Sequence, residues 1–427
     1  MVGYNTIYVG MDTHKKTTSV CAFYPMSGEF FAQSKFENFD SILKYLRDVS
    51  SVSPDARVIC GYEAGCTGFA LYRYLREHGI KCKVIAPSTI KEERSKRHVK
   101  TDRLDAQKLA RALAFDDCKF VTVPTTEIEA IRDYIRMRDD LKAELKRIKQ
   151  HIKAFCLRHN KQFDKKESWN KPHLDWLRKL TFVEPLFRET LDEYLIHYDY
   201  LTDKIVTLDK RILEIAERPE YKDKVKNLSC IKGITPLSAL AYISEIGDFN
   251  RFKSAGQFAS FLGLTPGEHS SSENEKKLSI TKAGNTHMRR LLIEAAHSYK
   301  KGAVSTISST VKQRQKDAPA EIITYANKAS RRLRRKYLKM TIEKNKSGNV
   351  AATAVARELS GFIWGMMTGH HQVPPAAAPK KKEKEITVET LLKALKRDIK
   401  RKEEATNTQK LSKNKDKTAS NNKAKNM

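Results

Sequence analysis

The sequence has no closely spaced cysteine pair, no long apolar run and no recognisable export signal. Its 7 cysteines are odd in number and lack the CxxC spacing of zinc or thioredoxin-like sites, so we expect reduced core residues of a cytosolic protein. The longest apolar stretch, residues 350–369, is interrupted by Arg357 and Glu358 and is too polar to span a bilayer. The first residues, MVGYNTIYVG, lack the basic and apolar regions of a signal peptide. We therefore expect neither export nor membrane insertion.

Acidic residues are scarce relative to basic ones. The chain has 81 Lys and Arg against 51 Asp and Glu, a formal net charge of +30. Such a chain repels itself unless a polyanion shares its surface, which makes nucleic acid the leading partner. A merely soluble basic surface or a sticky tail is the alternative. Residues 372–427 carry 16 Lys or Arg and 7 Asp or Glu, so the remaining +21 lies in residues 1–371.

The first part of the chain alternates between strand-like and helical patterns. Because the whole chain is too long for one hydrophobic core, we expect this part to be a domain of its own. Strand-like runs IYVGMD, TTSVCAFY, ARVICGYEA and KCKVIAP are interspersed with helical patterns at FALYRYLREH and from about Asp102. This order is typical of an α/β domain, which we assign to residues 1–123.

Apolar residues at heptad spacing then predict two long helical coiled-coil arms within residues 124–225. The first arm has Arg138 as a polar break, and its apolar positions are Ile131, Tyr134, Leu141, Leu145, Ile148, Ile152 and Phe155. The apolar positions of the second arm are Leu191, Tyr194, Tyr198, Leu201, Ile205, Leu208, Ile212 and Ile215. The arms fold back as an antiparallel hairpin or pair with another subunit, and either arrangement favours a homo-oligomer, a dimer or a tetramer. A helical spacer without a partner is the alternative.

The remainder divides into two further segments. Residues 226–371 read as a mainly α-helical domain with short loops. Residues 372–427 form a basic low-complexity tail whose composition from about Lys402 is typical of disorder, with one short helix from Leu391 to Ile399.

Four carboxylates in the first domain predict a metal site. Asp12 and Glu63 each end an apolar strand-like run, where an ionised side chain is costly unless it protrudes from the sheet or meets a cation. Asp102 and Asp105 lie one turn apart on one helix face and repel each other unless a positive charge binds between them. Oxygen ligands of this kind suit Mg²⁺ or Mn²⁺, and two such ions serve phosphodiester chemistry.

Each of these carboxylates alone has a structural alternative. Asp102 could be the N-cap of its helix, Asp105 a first-turn acid that the helix dipole favours, and Asp12 the start of a turn with Thr13. The order strand Asp, strand Glu, helix DxxD is what favours the metal site.

The segments that carry these acids, YVGMDTHKK, GYEAGCTGFALYRYL and HVKTDRLDAQKLARAL, resemble the N-terminal half of the DEDD transposases of IS110-type insertion sequences, relatives of the Piv-like DNA invertases. The resemblance implies a RuvC-like, RNase H-type domain whose acidic tetrad falls on Asp12, Glu63, Asp102 and Asp105. It continues over the segment from IKGITPLSAL to NTHMRRLLIEAA, which looks like the family's C-terminal transposase domain.

The resemblance also implies a serine nucleophile shortly after the LTP turn. Ser271 takes that place, although Ser270 and Ser272 flank it and the family commonly has Gly where Ser272 stands. From the residues alone, the three serines suggest an exposed loop. A serine hydroxyl needs activation, and no triad is visible.

Several cationic and glycine residues are candidate nucleic-acid contacts. KGIT resembles a helix-hairpin-helix turn, or is an ordinary helix-helix turn. Cations around AGN are candidates to bind phosphate, with a solvated helix face as the alternative. In RRLRRKYLK apolar residues interleave with the cations, which favours a nucleic-acid groove over a plain charged face. The candidates are Lys100, Arg103, Gly233, Lys282, Arg289, Arg290, Arg331, Arg332, Arg334 and Arg335.

Together these features and the resemblance predict the transposase of a prokaryotic insertion sequence, an enzyme that cuts and rejoins donor and target DNA. We expect it in the cytosol, associated with the nucleoid. The family resemblance further implies a structured noncoding guide RNA from the element. One alternative is a metal-dependent nuclease or junction resolvase without serine chemistry. Another is a nucleic-acid-binding protein without catalysis.

Overall fold

A computed structural model describes residues 6–52, 56–90, 101–164, 168–271 and 274–371. For residues 268–271 and 274–277 it describes the backbone. The predicted basic tail, including its short helix, lies outside the described residues. The chain divides into two compact units, with the boundary between Ala130 and Ile131.

The first unit is the predicted α/β domain, built on a five-stranded sheet of order β3-β2-β1-β4-β5. β2 pairs with β1 and β3 in antiparallel fashion, whereas β4 pairs with β1 and β5 in parallel fashion. The strands are β1 Thr6–Thr13, β2 Thr18–Tyr24, β3 Glu29–Phe36, β4 Arg57–Glu63 and β5 Lys81–Ile85. The helices are α1 Phe39–Ser50, α2 Ala70–Glu77 and α3 Asp102–Ala114. The pattern of the sequence had predicted every strand except β3.

α3 packs directly on the centre of this sheet. Its apolar residues Leu109, Ala110 and Leu113 share a buried cluster with Tyr8 of β1 and with neighbouring strands. The side chain of Thr101 accepts a hydrogen bond from the Leu104 amide and is the N-cap, so the alternative that Asp102 caps this helix is wrong. The first turn of α3 is therefore fixed over the C-terminal end of β1.

Gly10 of β1 makes this close packing possible. A Cβ atom added at Gly10 would lie 2.0 Å from the carbonyl oxygen of Ala106 and 2.3 Å from the amide nitrogen of Ala110. Both atoms belong to the backbone of α3, so only movement of the whole helix would relieve the clash.

We expect Gly10→Ala to lower the free energy of unfolding by about 1–3 kcal/mol, the usual cost of overpacking a core. Because the displaced helix carries Asp102 and Asp105, affinity for a divalent cation should fall as well. Urea denaturation and Mn²⁺ titration measure the two effects. Gly256→Ala is the control, since its added Cβ would come no closer than 3.7 Å to the Ser254 hydroxyl. Wild-type stability in Gly10→Ala would contradict the packing argument.

The second unit is mainly helical. Its helices, counting α4 although that helix begins before the boundary, are α4 Thr126–Arg158, α5 Lys171–Lys179, α6 Pro185–Ala216, α7 Pro219–Ser229, α8 Pro236–Ile246, α9 Ala255–Phe261, α10 Thr286–His297, α11 Ser309–Gln315, α12 Ala320–Leu338 and α13 Gly348–Met367. None of the helices in the described part of the chain is both long enough and apolar enough to cross a bilayer.

The two long helices α4 and α6 run antiparallel within the chain. Arg138, in the first half of α4, donates to both carboxylate oxygens of Asp209 near the end of α6, at 2.6 and 2.9 Å. Phe155, near the end of α4, shares a buried cluster with Leu191 near the start of α6. The polar break that Arg138 makes in the heptad is therefore filled by an ion pair between the helices.

The C-terminal region departs from the predicted helices and loops at one place. Strands β6 Pro266–Ser271 and β7 Asn274–Ile280 form a two-stranded antiparallel hairpin. The exposed loop predicted for the three serines is thus wrong for Ser270 and Ser271, which lie on β6, whereas Ser272 is outside the described residues. The stretch GEHSSSENEKK is polar throughout, so it lacks the apolar alternation that reveals a strand.

All 7 cysteines are free, as the sequence predicted. Six are buried, but Cys66 is exposed, so the assignment of every cysteine to the core is wrong at that position. Cys66 lies in the connection between β4 and α2.

Candidate functional site

Asp12 and Glu63 lie at the same edge of the sheet. β1 and β4 are parallel neighbours in which Met11 is opposite Tyr62, so the next residue along each strand is one of the two acids. The Asp12 side chain is 15% exposed, whereas Glu63 is exposed. The register of this parallel strand pair therefore brings both acids to one edge of the sheet, which is the arrangement that the order of the motifs in the sequence predicted.

Asp102 and Asp105 approach Asp12 from the first turn of α3. Burial raises the pKa of Asp12, and the negative charges of Asp105 and Asp102 raise it further, although nearby His14 acts in the opposite direction. Three of the four predicted carboxylates therefore interact electrostatically in the protein.

Two basic side chains that the sequence reasoning missed, His14 and Lys35, contact these acids. His14 Nε2 lies 3.0 Å from Asp12 Oδ2 and 3.4 Å from Asp102 Oδ1. Lys35 Nζ donates to Asp102 Oδ2 at 3.0 Å. Its hydrogen bond is the main reason why the pKa of Asp102 is lowered. His14 stands two residues after Asp12 in the quoted motif, whereas Lys35 lies on the one strand that was not predicted.

The donor atoms at this edge fit a divalent cation. Among the described residues, ligand atoms of Asp12, His14 and Asp102 lie within 4.8 Å of one another, and Glu63 and Asp105 fall outside that group. Carboxylate oxygens suit hard divalent ions, and neutral imidazole is a common ligand of transition metals. We call the set Asp12, His14, Lys35, Glu63, Asp102 and Asp105 the acidic site.

The serine hairpin of the second unit rests on a tight backbone junction. A Cβ at Gly263 would lie 2.2 Å from the carbonyl oxygen of Ala283, and one at Gly284 would lie 1.8 Å from that of Phe261. The amide of Lys282 donates to the carbonyl of Gly263 at 3.1 Å. Both glycines have positive φ, so their replacement would be strained as well as crowded. The base of β6 and β7 is therefore fixed.

Arg289, predicted to contact nucleic acid, contributes to the same junction. It is 8% exposed, and its Nη1 donates to the carbonyls of Leu262 at 2.9 Å and Ala283 at 3.0 Å. Gly233 likewise packs inside the protein, since an added Cβ would lie 2.5 Å from the carbonyl oxygen of Ala295. The structure thus gives both residues contacts within the chain.

The other predicted cations differ in their surroundings. Arg290 donates to Asp139 at 2.5 Å and to Glu294 at 3.2 Å, yet its side chain is 46% exposed. Lys282 is exposed and has a positive φ of 57°. Arg103 is exposed on α3, and Lys100 lies outside the described residues.

On α12 the basic run divides into inward and outward side chains. Arg334 donates to the carbonyls of Tyr299, Lys300 and Gly302 at 2.7 to 3.0 Å. Arg332 forms an ion pair with Glu358. Arg331, Arg332 and Arg335 are exposed, so this helix presents cations to solvent while Arg334 binds a preceding turn.

A buried carboxylate that the sequence reasoning missed joins α4, α8 and α10. The Glu245 side chain is 2% exposed and accepts two hydrogen bonds from Arg136, at 2.8 and 2.9 Å, and one from Asn285 at 2.7 Å. Burial alone would raise the pKa of Glu245, but the Arg136 and Asn285 hydrogen bonds lower it. Asn285 also caps α10, which follows the serine hairpin.

Comparison with known proteins bears on both units. A family model described as "Transposase IS116/IS110/IS902 family" matches residues 225–308. A DEDD-type IS110 model described as "Transposase" matches residues 9–159. A Sinorhizobium fredii protein named as a transposase, y4qE, is 33% identical over 365 residues, 85% of this chain and 89% of its own length. The transposase for insertion sequence element IS1533 of Leptospira borgpetersenii is 32% identical over 349 residues, 80% of this chain and 98% of its own length.

Proposed function

Because this chain belongs to the IS110 family of transposases, enzymes that cut and join DNA, we propose that its acidic site and Ser271 together cleave and rejoin the strands of an insertion sequence. The convergence of Asp12 and Asp102 on one shared partner, the imidazole of His14, carries this proposal. We assign the first unit to the RuvC-like, RNase H-type fold on its mixed sheet and the helix packed across it.

Asp12, His14 and Asp102 are the residues that would first hold a divalent cation, with Glu63 and Asp105 completing the set. We propose Mg²⁺ or Mn²⁺, because carboxylate oxygens predominate. Such an ion supplies electrostatic stabilisation to a reacting phosphodiester. The protein's own contribution is to fix the carboxylates on a rigid strand edge and helix turn, so that no reorganisation is needed during the reaction.

Ser271 would supply the attacking oxygen. Its Oγ forms a bond to phosphorus as the bond from phosphorus to one deoxyribose oxygen breaks; serine loses a proton and the released oxygen gains one. The phosphoserine ester keeps the energy of the broken bond, so a hydroxyl of another strand reverses the step without an external energy source. The rigid base of the hairpin supports this role, because a nucleophile must be held in one place.

The DNA contacts that we propose are the cations that remain exposed: Arg103, Lys282, Arg290, Arg331, Arg332 and Arg335. Lys100 is proposed from the sequence. Gly233, Arg289 and Arg334 would contribute indirectly, by fixing the segments from which these cations project.

We further propose a guide RNA and a homo-oligomer. The +21 charge of residues 1–371 favours binding of polyanions and is the ground for proposing RNA beside DNA. Apolar side chains of α6 that face solvent, Ile196 at 61% and Val206 at 63% exposure, favour association of the arms between copies as a coiled coil. Sequencing of RNA that co-purifies with the protein should recover one structured species. Recovery of random host fragments only would contradict guidance by RNA.

Metal removal tests the acidic site. A labelled DNA duplex that carries the element's ends should be cleaved and joined in Mg²⁺ or Mn²⁺, and excess EDTA should stop both reactions. Restoring either ion should restore them, because the carboxylates alone lack the positive charge that stabilises the reacting phosphate. Strand exchange that continues in EDTA would contradict the proposal.

A further inference from the structure

Two basic side chains share the carboxylate of Asp102. His14 approaches Oδ1 at 3.4 Å, and Lys35 donates to Oδ2 at 3.0 Å. The side chains of Lys35 and Asp102 are 53% and 42% exposed. Both oxygens of Asp102 are therefore engaged by the protein's own side chains, at a carboxylate that the proposed function gives to a metal.

The position of Lys35 is fixed by the sheet. It lies on β3 opposite Ser19 of β2, and Ser19 in turn lies opposite Asp12 of β1. Its backbone therefore stays beside the acidic site whether or not its ammonium group holds Asp102. A long, exposed lysine side chain has the freedom to change partners without moving the strand.

A divalent cation and an ammonium group are competitors for Asp102. They repel each other, and the doubly charged ion is attracted more strongly to the carboxylates of Asp12 and Asp102. When the ion binds Asp102, the ammonium group of Lys35 loses its anionic partner. The nearest anion that the proposed reaction then brings to this edge is a DNA phosphate.

We propose that Lys35 is a DNA-phosphate contact of the acidic site, held by Asp102 in the metal-free protein and transferred to phosphate when a cation takes that carboxylate. The inference rests on the proposed metal site. Lys35 is then a residue that touches the substrate, and the contribution of Lys35 to DNA binding should depend on metal.

The first test measures metal affinity without DNA. In Lys35→Met the competitor is gone, so Mn²⁺ should bind about 1.5- to 5-fold more tightly, the range set by the strength of exposed ion pairs. Isothermal titration calorimetry of the full chain measures this ratio. Unchanged or weaker Mn²⁺ binding in Lys35→Met would overturn the competition.

The second test measures the salt dependence of binding to a short DNA duplex, by fluorescence anisotropy in Mn²⁺ and in EDTA. Each phosphate contact adds about 0.9 to the slope of log affinity against log salt. In Mn²⁺ the slope of Lys35→Met should be smaller than that of wild type by about this amount. In EDTA the two slopes should agree, because Asp102 still holds Lys35.

Lys44→Met is the control, since Lys44 is an exposed lysine of α1 in the same unit. Its slope should differ from that of wild type by the same amount in Mn²⁺ and in EDTA. An equal change in both states for Lys35→Met, or no change in either, would overturn the transfer. A failure of the metal site itself has a different signature: wild type and Asp12→Asn would then bind Mn²⁺ equally.

Discussion

Asp12→Asn should lose DNA strand cleavage by more than about 100-fold, since changes around metal ligands that do not touch the metal already cost about 10- to 100-fold. The substitution removes the charge of the carboxylate that contacts His14 and interacts with the charges of Asp102 and Asp105, while it keeps the size of the side chain. Cleavage of labelled DNA under saturating Mg²⁺ measures the loss.

Asp48→Asn is the matched control, because Asp48 is an exposed acid of α1 in the same unit. It should cleave at the wild-type rate. Thermal unfolding of both variants separates catalysis from stability: Asp12→Asn should not be less stable than wild type, because it removes a half-buried charge among like charges. Wild-type cleavage in Asp12→Asn would show that the acidic site is not the catalytic centre.

Ser271→Ala should abolish strand joining and leave DNA binding unchanged. The hydroxyl is the only group removed, and without it no phosphoserine ester can form. Gel analysis of joined donor and target strands measures the effect, and anisotropy with the same duplex measures binding. Loss of joining should exceed about 1000-fold, since removal of a nucleophile that acts in a concerted unit costs at least this much.

Ser270→Ala and Ser272→Ala are the controls for the flanking serines. Both should retain joining if Ser271 is the nucleophile. A Ser271→Ala protein that still joins donor to target would favour the metal-dependent nuclease or resolvase, in which the acidic site hydrolyses DNA and the hairpin is structural.

The main features of the first unit follow from the sequence because they depend on short-range pattern. Apolar runs predict β1 and β4, and adjacent parallel strands bring Asp12 and Glu63 to one edge. The DxxD motif at the start of α3 then reaches this edge through one packing contact, between the helix and β1. The small residues Gly10, Ala106 and Ala110 permit that contact.

The contact of Lys35 with Asp102 could not be found in this way. β3 is mostly half-buried or exposed at the sheet edge, so EFFAQSKF has no clean alternation that would reveal a strand or mark Lys35. The hairpin of Ser271 is held by contacts of its base, in particular Gly263 and Gly284, rather than by apolar residues of its own strands.

The ion pairs of the second unit could not be predicted from the sequence either. Arg138 looked like an interruption of a heptad, but its partner Asp209 lies 71 positions away. Glu245 is likewise matched by Arg136 and Asn285 from two other helices. A single sequence shows the residue types of such pairs but not which of them meet, because meeting depends on the tertiary fold.

We propose that the acidic site of one unit and Ser271 of the other act in one recombination reaction. Mass spectrometry of the protein recovered from a denatured Mg²⁺ reaction, after digestion of the DNA, tests this joint action. We predict a peptide that carries a nucleotide remnant on Ser271, present in wild type and absent from Asp12→Asn. Cleaved DNA without any covalent adduct, or an adduct at another residue, would contradict the joint action of the acidic site and Ser271.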